Sequence, residues 1–391
     1  MTASGPLAGI RVLDLSRVLA GPIATQMLGD FGADVIKVEA PGGDDARGYG
    51  PHFGRDGDGK PTRESGFYLA ANRNKRSITC DFATPEGRER VLGLARDCDV
   101  LVENFRPGSL ARHGLAYDDI RQVNPRIIYA SLTGFGQNSP YAARPGYDAI
   151  FQAHAGWMSV TGEPDGAWSK TGPSLVDVFS GINLVAAITA ALYHRDARGG
   201  EGQHIDLALQ DCAIAALSHV AGNYLVSREL PRRLGTAGNG GAPSDVYHCA
   251  DGRIYISSGR QEHFERLCAV LKRRDLIDDP RFTDGARRFA NRDVLDEELV
   301  PAMQLRKRAE LIEALSAAGV PVAPLNDLSE VFADPHVAAR EMLVPMEHEL
   351  LGEVELVGNP VRFAATPVSY RRAPPQAGEH DEEAYWLKRE A

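Results

Sequence analysis

The first forty residues constrain this chain most. Ile10–Leu15 reads as a short buried strand, Pro22–Phe31 as a helix with proline in its first turn, and Val35–Val38 as a second strand. Strand, helix and strand within about 30 residues is the size of one βαβ unit. The rhythm then recurs. Ser77–Phe82 predicts a strand, and Thr84 with Pro85 predicts a capped helix running to Asp97. Val100–Glu103 and Ile127–Ser131 predict two further strands. Such alternation implies a parallel sheet with helices on both faces.

Further along, residues 40–66 are rich in Gly, Asp and Arg without apolar periodicity, which predicts a long surface loop. Ser180–Arg195 is a strongly apolar helix, Ile205–Leu209 a strand, and Asp211–Ser227 a helix. Composition shifts near residue 228, where a charged run leads into the glycine-dense Leu234–Pro243. Val246–Cys249 and Ile254–Ser257 flank a hairpin signal, Ala250-Asp251-Gly252. Helices are expected at 261–272 and 307–318, while 276–306 is mixed and unassigned. The tail from 343 looks extended, through Val354–Val357 and Val361–Phe363. The expected layout is a large α/β domain over 1–225 completed by 343–391. A smaller α+β domain with its flanking linkers is inserted over 226–342.

Charge narrows the function. Acids outnumber bases 53 to 43, a net charge of −10, so no broadly basic face for nucleic acid is expected. An anionic small ligand would need a local cluster. Two clusters exist: Asn72-Arg73-Asn74-Lys75-Arg76, and Asn104-Phe105-Arg106-Pro107-Gly108 with Arg112 close behind. Each is either a solvated basic face or part of an anion site for a phosphorylated cofactor, with Phe105 as an apolar or stacking surface. Leu19-Ala20-Gly21-Pro22 joins the first strand to the first helix, a turn that can aim backbone N–H groups at a ligand above the sheet.

Several classes are set aside. There is no HExxH, no cysteine knuckle and no histidine pair at helical spacing, so no metal is expected. GxGxxG, GxxxxGK[ST] and GxSxG are absent as well. The N-terminus lacks a basic region followed by a long apolar run, so no secretory leader is expected. The longest apolar run, Ile182–Tyr193, is shorter than the roughly 20 residues that cross a bilayer. The 5 cysteines form no CxxC pair and read as buried apolar residues in a reduced, cytoplasmic setting. Asp177, between Val176 and Val178 just before the apolar helix, is either an ordinary helix cap or a carboxylate kept ionised by the positive helix end.

Several segments jointly resemble one family, the class III CoA-transferases, which also contains α-methylacyl-CoA racemases. They are RVLAGPIATQMLGDFGADVIKVE (17–39), NRNKRSI (72–78), VENFRPGSLARHGL (102–115), NPRIIYASLTGFGQ (124–137), RPGYDAI (144–150) and the stretch around Asp177. GQHIDLALQD (202–211) and APPQAGEH (373–380) extend the likeness over nearly the whole chain. The run LSHVAGNYLVSRELPRRLGTAGN (217–239) resembles dicarboxylate transferases of the succinate–hydroxymethylglutarate type.

The resemblance implies a Rossmann-like large domain built from both chain ends, a small inserted domain, and two subunits interlocked as a homodimer. It implies that Asp177 is the nucleophile, passing through aspartyl mixed-anhydride and aspartyl-CoA thioester intermediates. The substrates would be an acyl-CoA and a small carboxylic acid, with no permanently bound cofactor. Leu19, Ala20, Asn104, Phe105, Arg106 and Arg112 would contact CoA. Tyr147 and Asp148 match the pair beside the substrate, and Gly238-Asn239-Gly240-Gly241 the mobile glycine lid. The CoA counter-charges are accordingly expected in 73–76 and 106–112. Departures bear on substrate. Leu19 and Ala40 stand where formyl-CoA transferases carry glutamine and arginine. Gly146-Tyr147-Asp148 replaces the GHD of racemases, and tyrosine is a poor acid/base substitute for histidine. A 2-methylacyl-CoA racemase and an inactive CoA-binding protein are the alternatives. Arg47, Arg73 and Arg144 are unranked candidates for holding a second carboxylate.

Overall fold

The computed structural model describes residues 5–238 and 240–388. The chain divides into two units. The larger comprises Met1–Trp157, Thr171–Glu229 and Pro335–Ala391, the smaller Met158–Lys170 and Leu230–Asp334. The segment 158–170 joins the smaller unit through Arg233, which donates to the carbonyls of Glu163, Pro164 and Gly166. No periodicity in the sequence marks this pairing.

Six parallel strands form the sheet of the larger unit. They are β1 (Arg11–Asp14), β2 (Asp34–Glu39), β3 (Lys75–Thr79), β4 (Val100–Glu103), β5 (Ile128–Thr133) and β6 (Gln203–Ala208). Their spatial order is β3-β2-β1-β4-β5-β6, that of doubly wound nucleotide-binding sheets. Successive side chains alternate faces, so each apolar run feeds two cores. Val12, Val35 and Val100 enter one; Leu13, Ile36 and Leu101 enter the other. The first core is covered by α1 (Ala20–Asp30) and by a 23-residue helix, α2 (Leu175–Ala197). These two helices cross closely at Gly181, where a Cβ would lie 2.8 Å from the Ala20 carbonyl oxygen. Glycine therefore sets how near the start of α2 sits to the first strand–helix turn.

Several expectations are corrected. Residues 40–66 are not simply a surface loop. They hold a 3₁₀ turn at Asp45–Gly48 and a hairpin, Phe53–Arg55 with Pro61–Ser65, and Asp44, Arg47 and Glu64 are buried. The basic run 73–76 is neither a solvated face nor an anion site. Arg73 pairs with Asp30, Lys75 with Asp14 and Arg76 with Asp34, at 2.6, 3.0 and 2.9 Å. The same run straps down the C-terminal return, with Arg73 donating to the Val357 carbonyl, Asn74 to that of Ser369 and Arg76 to that of Glu383. Asp177 lies inside α2, not before it. The helix expected over 211–227 breaks at Ser218, whose φ is 46°, into Leu209–Ala216 and Ser218–Ser227. In the tail, Leu343–His348 pairs with Gly352–Val357, while 361–363 is not a strand.

The smaller unit has a three-stranded antiparallel sheet, Ser244–His248, Arg253–Ser257 and Val322–Pro324. Helices Gln261–Leu271, Arg292–Gln304 and Arg308–Ala317 bury Phe264, Leu299 and Leu311 against it. The second of these and Gly285–Ala290 fall in the stretch that sequence left unassigned.

Candidate active site

In an open parallel sheet, ligands lie beyond the carboxyl ends of the strands, where strand order reverses. Here that point falls between β1 and β4. A cavity of about 240 Å³ opens there, lined by the loops after β1, β4 and β5 and by Asp177. Leu19, Ala20, Asn104, Phe105, Arg106 and Tyr147 all line it. Asp148 and Arg112 are not among its lining residues; Arg112 is exposed on a 3₁₀ turn after β4.

The turn after β1 is held from every side. Asp14 accepts from the backbone N–H and hydroxyl of Ser16. The Asn104 amide pairs with the Arg17 main chain at both ends, accepting from its N–H at 2.9 Å and donating to its carbonyl at 2.8 Å. Asn104 thus ties the β1 loop to the β4 loop. Val18 has φ 71°, a left-handed conformation strained for a β-branched residue. Asp44 accepts its N–H at 3.1 Å, and Lys37 pairs with Asp44 at 2.8 Å while donating to the Ser16 carbonyl at 2.9 Å. The Lys37 and Asp44 side chains are both fully buried. Close by, burial pushes Lys75 down to about 8 against the pull of Asp14.

Asp177 sits in the first turn of α2, half-buried. Its helix N-terminus is capped from elsewhere. Asp148, at the start of a short helix (Asp148–His154), accepts the N–H of Val176 at 2.8 Å and of Asp177 at 3.2 Å. Gln152 donates to the other Asp148 oxygen. The structure thus gives Asp148 contacts to the helix that carries Asp177. Burial first, and the Asp148 charge second, raise Asp177 from its ordinary 3.8 up to about 7. Burial and the Asp148 charge thus both oppose the ionised form that a helix N-terminus favours.

The remaining wall is aromatic and cationic. The Phe105 N–H donates to Glu103 at 2.8 Å, its ring meets Phe82 edge-on at 5.7 Å, and the Arg17 guanidinium lies 4.7 Å over it. Tyr147 is 67% exposed, and burial together with the neighbouring Tyr147 pushes the Tyr49 phenol up to about 12. Arg144 also lines the cavity; no histidine is among its lining residues. Among the described residues no three His, Cys, Asp or Glu side chains group as metal ligands.

Gly238, Gly240 and Gly241 belong to the smaller unit, where they line a cavity of their own with Arg260 and His263. Asn239 lies outside the described residues. Gly241 has φ 143°, a conformation L side chains rarely adopt, and its Cβ would meet the Gly259 Cα at 3.0 Å, so backbone conformation and close packing both favour glycine there.

The family model for CoA-transferase family III matches residues 7–381. The chain belongs to that family. This enzyme is 45% identical over 377 residues to the succinate–glutarate CoA-transferase of Agrobacterium fabrum, covering 96% of this chain and 94% of that one. It is 39% identical over 376 residues to the human succinyl-CoA:glutarate CoA-transferase, covering 96% and 84%. Among solved structures, a CaiB/BaiF family protein from Brucella suis shares the fold at a TM-score of 0.88 and 41% identity, over 97% of this chain and 98% of that one. CoA-transferases act on CoA thioesters, and the switch-point cavity gathers a carboxylate, an aromatic ring and three arginines of this enzyme.

Sequence reading missed Asp44 and Lys37, which lie in or beside a stretch without periodicity. It also missed Arg17 and ranked Arg144 no higher than its two rivals, although both open segments of family likeness. The tie from Asp148 to Asp177 leaves a testable mark. The nucleophilic role that the family resemblance implies for Asp177 requires it ionised, so kcat/KM for the acyl-CoA is expected to fall below a pH of about 7. Asp148→Asn keeps an acceptor for the helix but removes the charge. It should move that acid limb down by about half a unit to one unit. An unmoved limb in the pH–rate profile would show that Asp148 does not act on Asp177.

Proposed function

We propose that this enzyme transfers CoA between small dicarboxylic acids, with succinyl-CoA as donor and an acid of about glutarate's size as acceptor. The names of its relatives support the substrate class. The observation that carries the mechanism is Asp177 at the switch-point cavity, its backbone N–H held by Asp148.

The ionised Asp177 attacks the thioester carbonyl, forming an acyl–aspartyl anhydride and releasing CoA thiolate. The thiolate attacks the aspartyl carbonyl, giving an enzyme thioester and freeing the donor acid. The acceptor carboxylate then attacks that thioester, forming a second anhydride and releasing the thiolate again. Attack of the thiolate on the acceptor's carbonyl yields the new acyl-CoA and restores Asp177. Each step exchanges one activated carbonyl for another, so the thioester energy is kept. No step calls on a resident cofactor or metal. Phe105, Arg106 and the turn at Leu19–Ala20 are assigned to CoA, with Arg112 as an outlying cation and Tyr147 at the substrate side.

We also infer a homodimer, interlocked as the resemblance implies. The helix α2 is long and apolar enough to cross a membrane by length and composition, yet it packs one face into the core. Its other face exposes Ile182 and Tyr193, and the two helices after β6 expose Ile214, Leu225 and Val226. A second copy would cover such a surface. Five buried unpaired cysteines support a reduced cytoplasmic setting, which subcellular fractionation tests.

One preparation tests the mechanism. Incubation with succinyl-CoA and hydroxylamine is expected to convert Asp177, and no other acid, to a hydroxamate detectable by peptide mass. Labelling spread over surface carboxylates, or none with any acyl-CoA, would sink the covalent scheme. Light scattering of the same sample should give twice the 42.3 kDa chain mass.

A further inference from the structure

A succinyl group differs from a butyryl group of the same length in one feature a protein can read, a second carboxylate. Reading it calls for a fixed cation near the reacting carbonyl, and the arginine fork suits a carboxylate best. The cation must also be uncommitted, because a guanidinium already neutralised by protein carboxylates gains little from another.

Two of the sequence candidates fail on this ground. Arg47 is buried between Glu39 and Glu64, at 2.7 Å from each, and also donates to Tyr68 and the Pro375 carbonyl. Arg73 is buried against Asp30 at 2.6 Å and donates to the Val357 carbonyl. Neither lines the cavity.

Three arginines do line it: Arg17, Arg106 and Arg144. Arg17 pairs with Asp45 at 3.5 Å and stacks on Phe105 at 4.7 Å, on the wall assigned to CoA. Arg106 also makes no ion pair among the described residues, but it belongs to the β4 loop on that same wall and lines a second cavity of about 220 Å³ as well. Arg144 stands apart. Its guanidinium makes no ion pair or hydrogen bond among the described residues, and it lies 3.9 Å over the Tyr141 ring, which orients it without neutralising it. It is part of the wall Ala142–Tyr147, and Asp148, immediately after that wall, holds the Asp177 N–H. Chain continuity therefore ties Arg144 to the nucleophile's side of the cavity.

We propose that Arg144 binds the distal carboxylate of the transferred acyl group and so makes the enzyme selective for dicarboxylic acids. The proposal rests on the transfer reaction set out above and adds the residue that chooses the substrate. Both donor and acceptor acids present the same terminal carboxylate, so one arginine serves both halves of the exchange.

The test compares succinyl-CoA with butyryl-CoA as donors to a common acceptor, glutarate, in the wild type, Arg144→Met and Arg144→Lys, and reads kcat/KM for the donor, which in this two-stage exchange reports the donor half alone. Methionine keeps the aliphatic bulk of this exposed side chain and removes the charge. The wild type is expected to prefer succinyl-CoA. Arg144→Met should lower kcat/KM for succinyl-CoA by about thirtyfold or more and leave butyryl-CoA within about threefold, with Arg144→Lys in between. Equal losses on both donors would place Arg144 at CoA or in the fold and overturn the proposal, as would no loss on either. A wild type that turns over both donors without preference would overturn it while leaving the transfer reaction standing. A wild type that turns over no thioester would sink the transfer reaction itself, and this proposal with it.

Discussion

Asp177→Asn is expected to lower CoA transfer by on the order of ten-thousandfold while making the folded enzyme more stable above pH 7. The loss follows from the chemistry: the amide oxygen cannot form the anhydride, and the scheme has no route around it. The gain follows from linkage. The carboxyl is raised from 3.8 when unfolded to about 7 when folded. Between those values the unfolded chain gives up its proton first, so this group's contribution to stability falls as pH rises and is lowest above 7. Asparagine removes that cost. Full linkage across the shift is halved here because the side chain keeps some solvent, leaving about 2 kcal/mol. Calorimetry at pH 8 and pH 4 checks the sign: the variant should melt above the parent at pH 8 and close to it at pH 4. A variant less stable than the parent at both would mean Asp177 is structural, whatever happened to turnover.

Asp44→Ala is expected to cost about 3–5 kcal/mol, the usual result of leaving one member of a buried ion pair alone. The Lys37 and Asp44 side chains are both 0% exposed, and Lys37 would keep its charge with the Ser16 carbonyl and the nearby Asp14 and Glu39 charges to meet it, neither carboxylate its present ion-pair partner. In a domain of this size that corresponds to a melting temperature lower by roughly 10 °C. The same change frees the Val18 N–H from its acceptor, so the strained turn that lines the cavity loses a restraint. KM for acyl-CoA should therefore rise beyond what reduced stability explains. Val18→Gly separates the two effects, because glycine adopts a positive φ unaided. Added to Asp44→Ala, it should recover acyl-CoA binding more than melting temperature. A single variant that melts with the parent would refute the role of the ion pair. A KM unmoved by either change would refute its link to the turn.

Sequence periodicity and tertiary packing divide this enzyme in a consistent way. The βαβ rhythm was legible because parallel strands buried on both faces are written as apolar runs, and Thr84-Pro85 announced its helix through local capping chemistry. Asp177 and the Asn104 loop were legible through family likeness, and the structure places both at the cavity. The ion network was not legible. Arg73, Lys75 and Arg76 look the same in sequence whether solvated or buried, and their partners Asp30, Asp14 and Asp34 come from separate elements. The pairing of Asp148 with the Asp177 helix spans 28 to 29 residues and leaves no periodic trace.

By itself, then, the sequence determined the α/β class and the family and nominated Asp177 as the nucleophile, since these rest on local pattern and on residues whose chemistry is carried in their identity. Only the tertiary structure decided which charges are available. The net charge of −10 says nothing of where counter-charges for an anion lie. Folding spends the run 73–76 on internal carboxylates and leaves Arg144 with no ion pair or hydrogen bond from its guanidinium among the described residues, on the wall of the Asp177 cavity. Availability is set by partners brought together across the chain, and no property of a residue in its own segment records it.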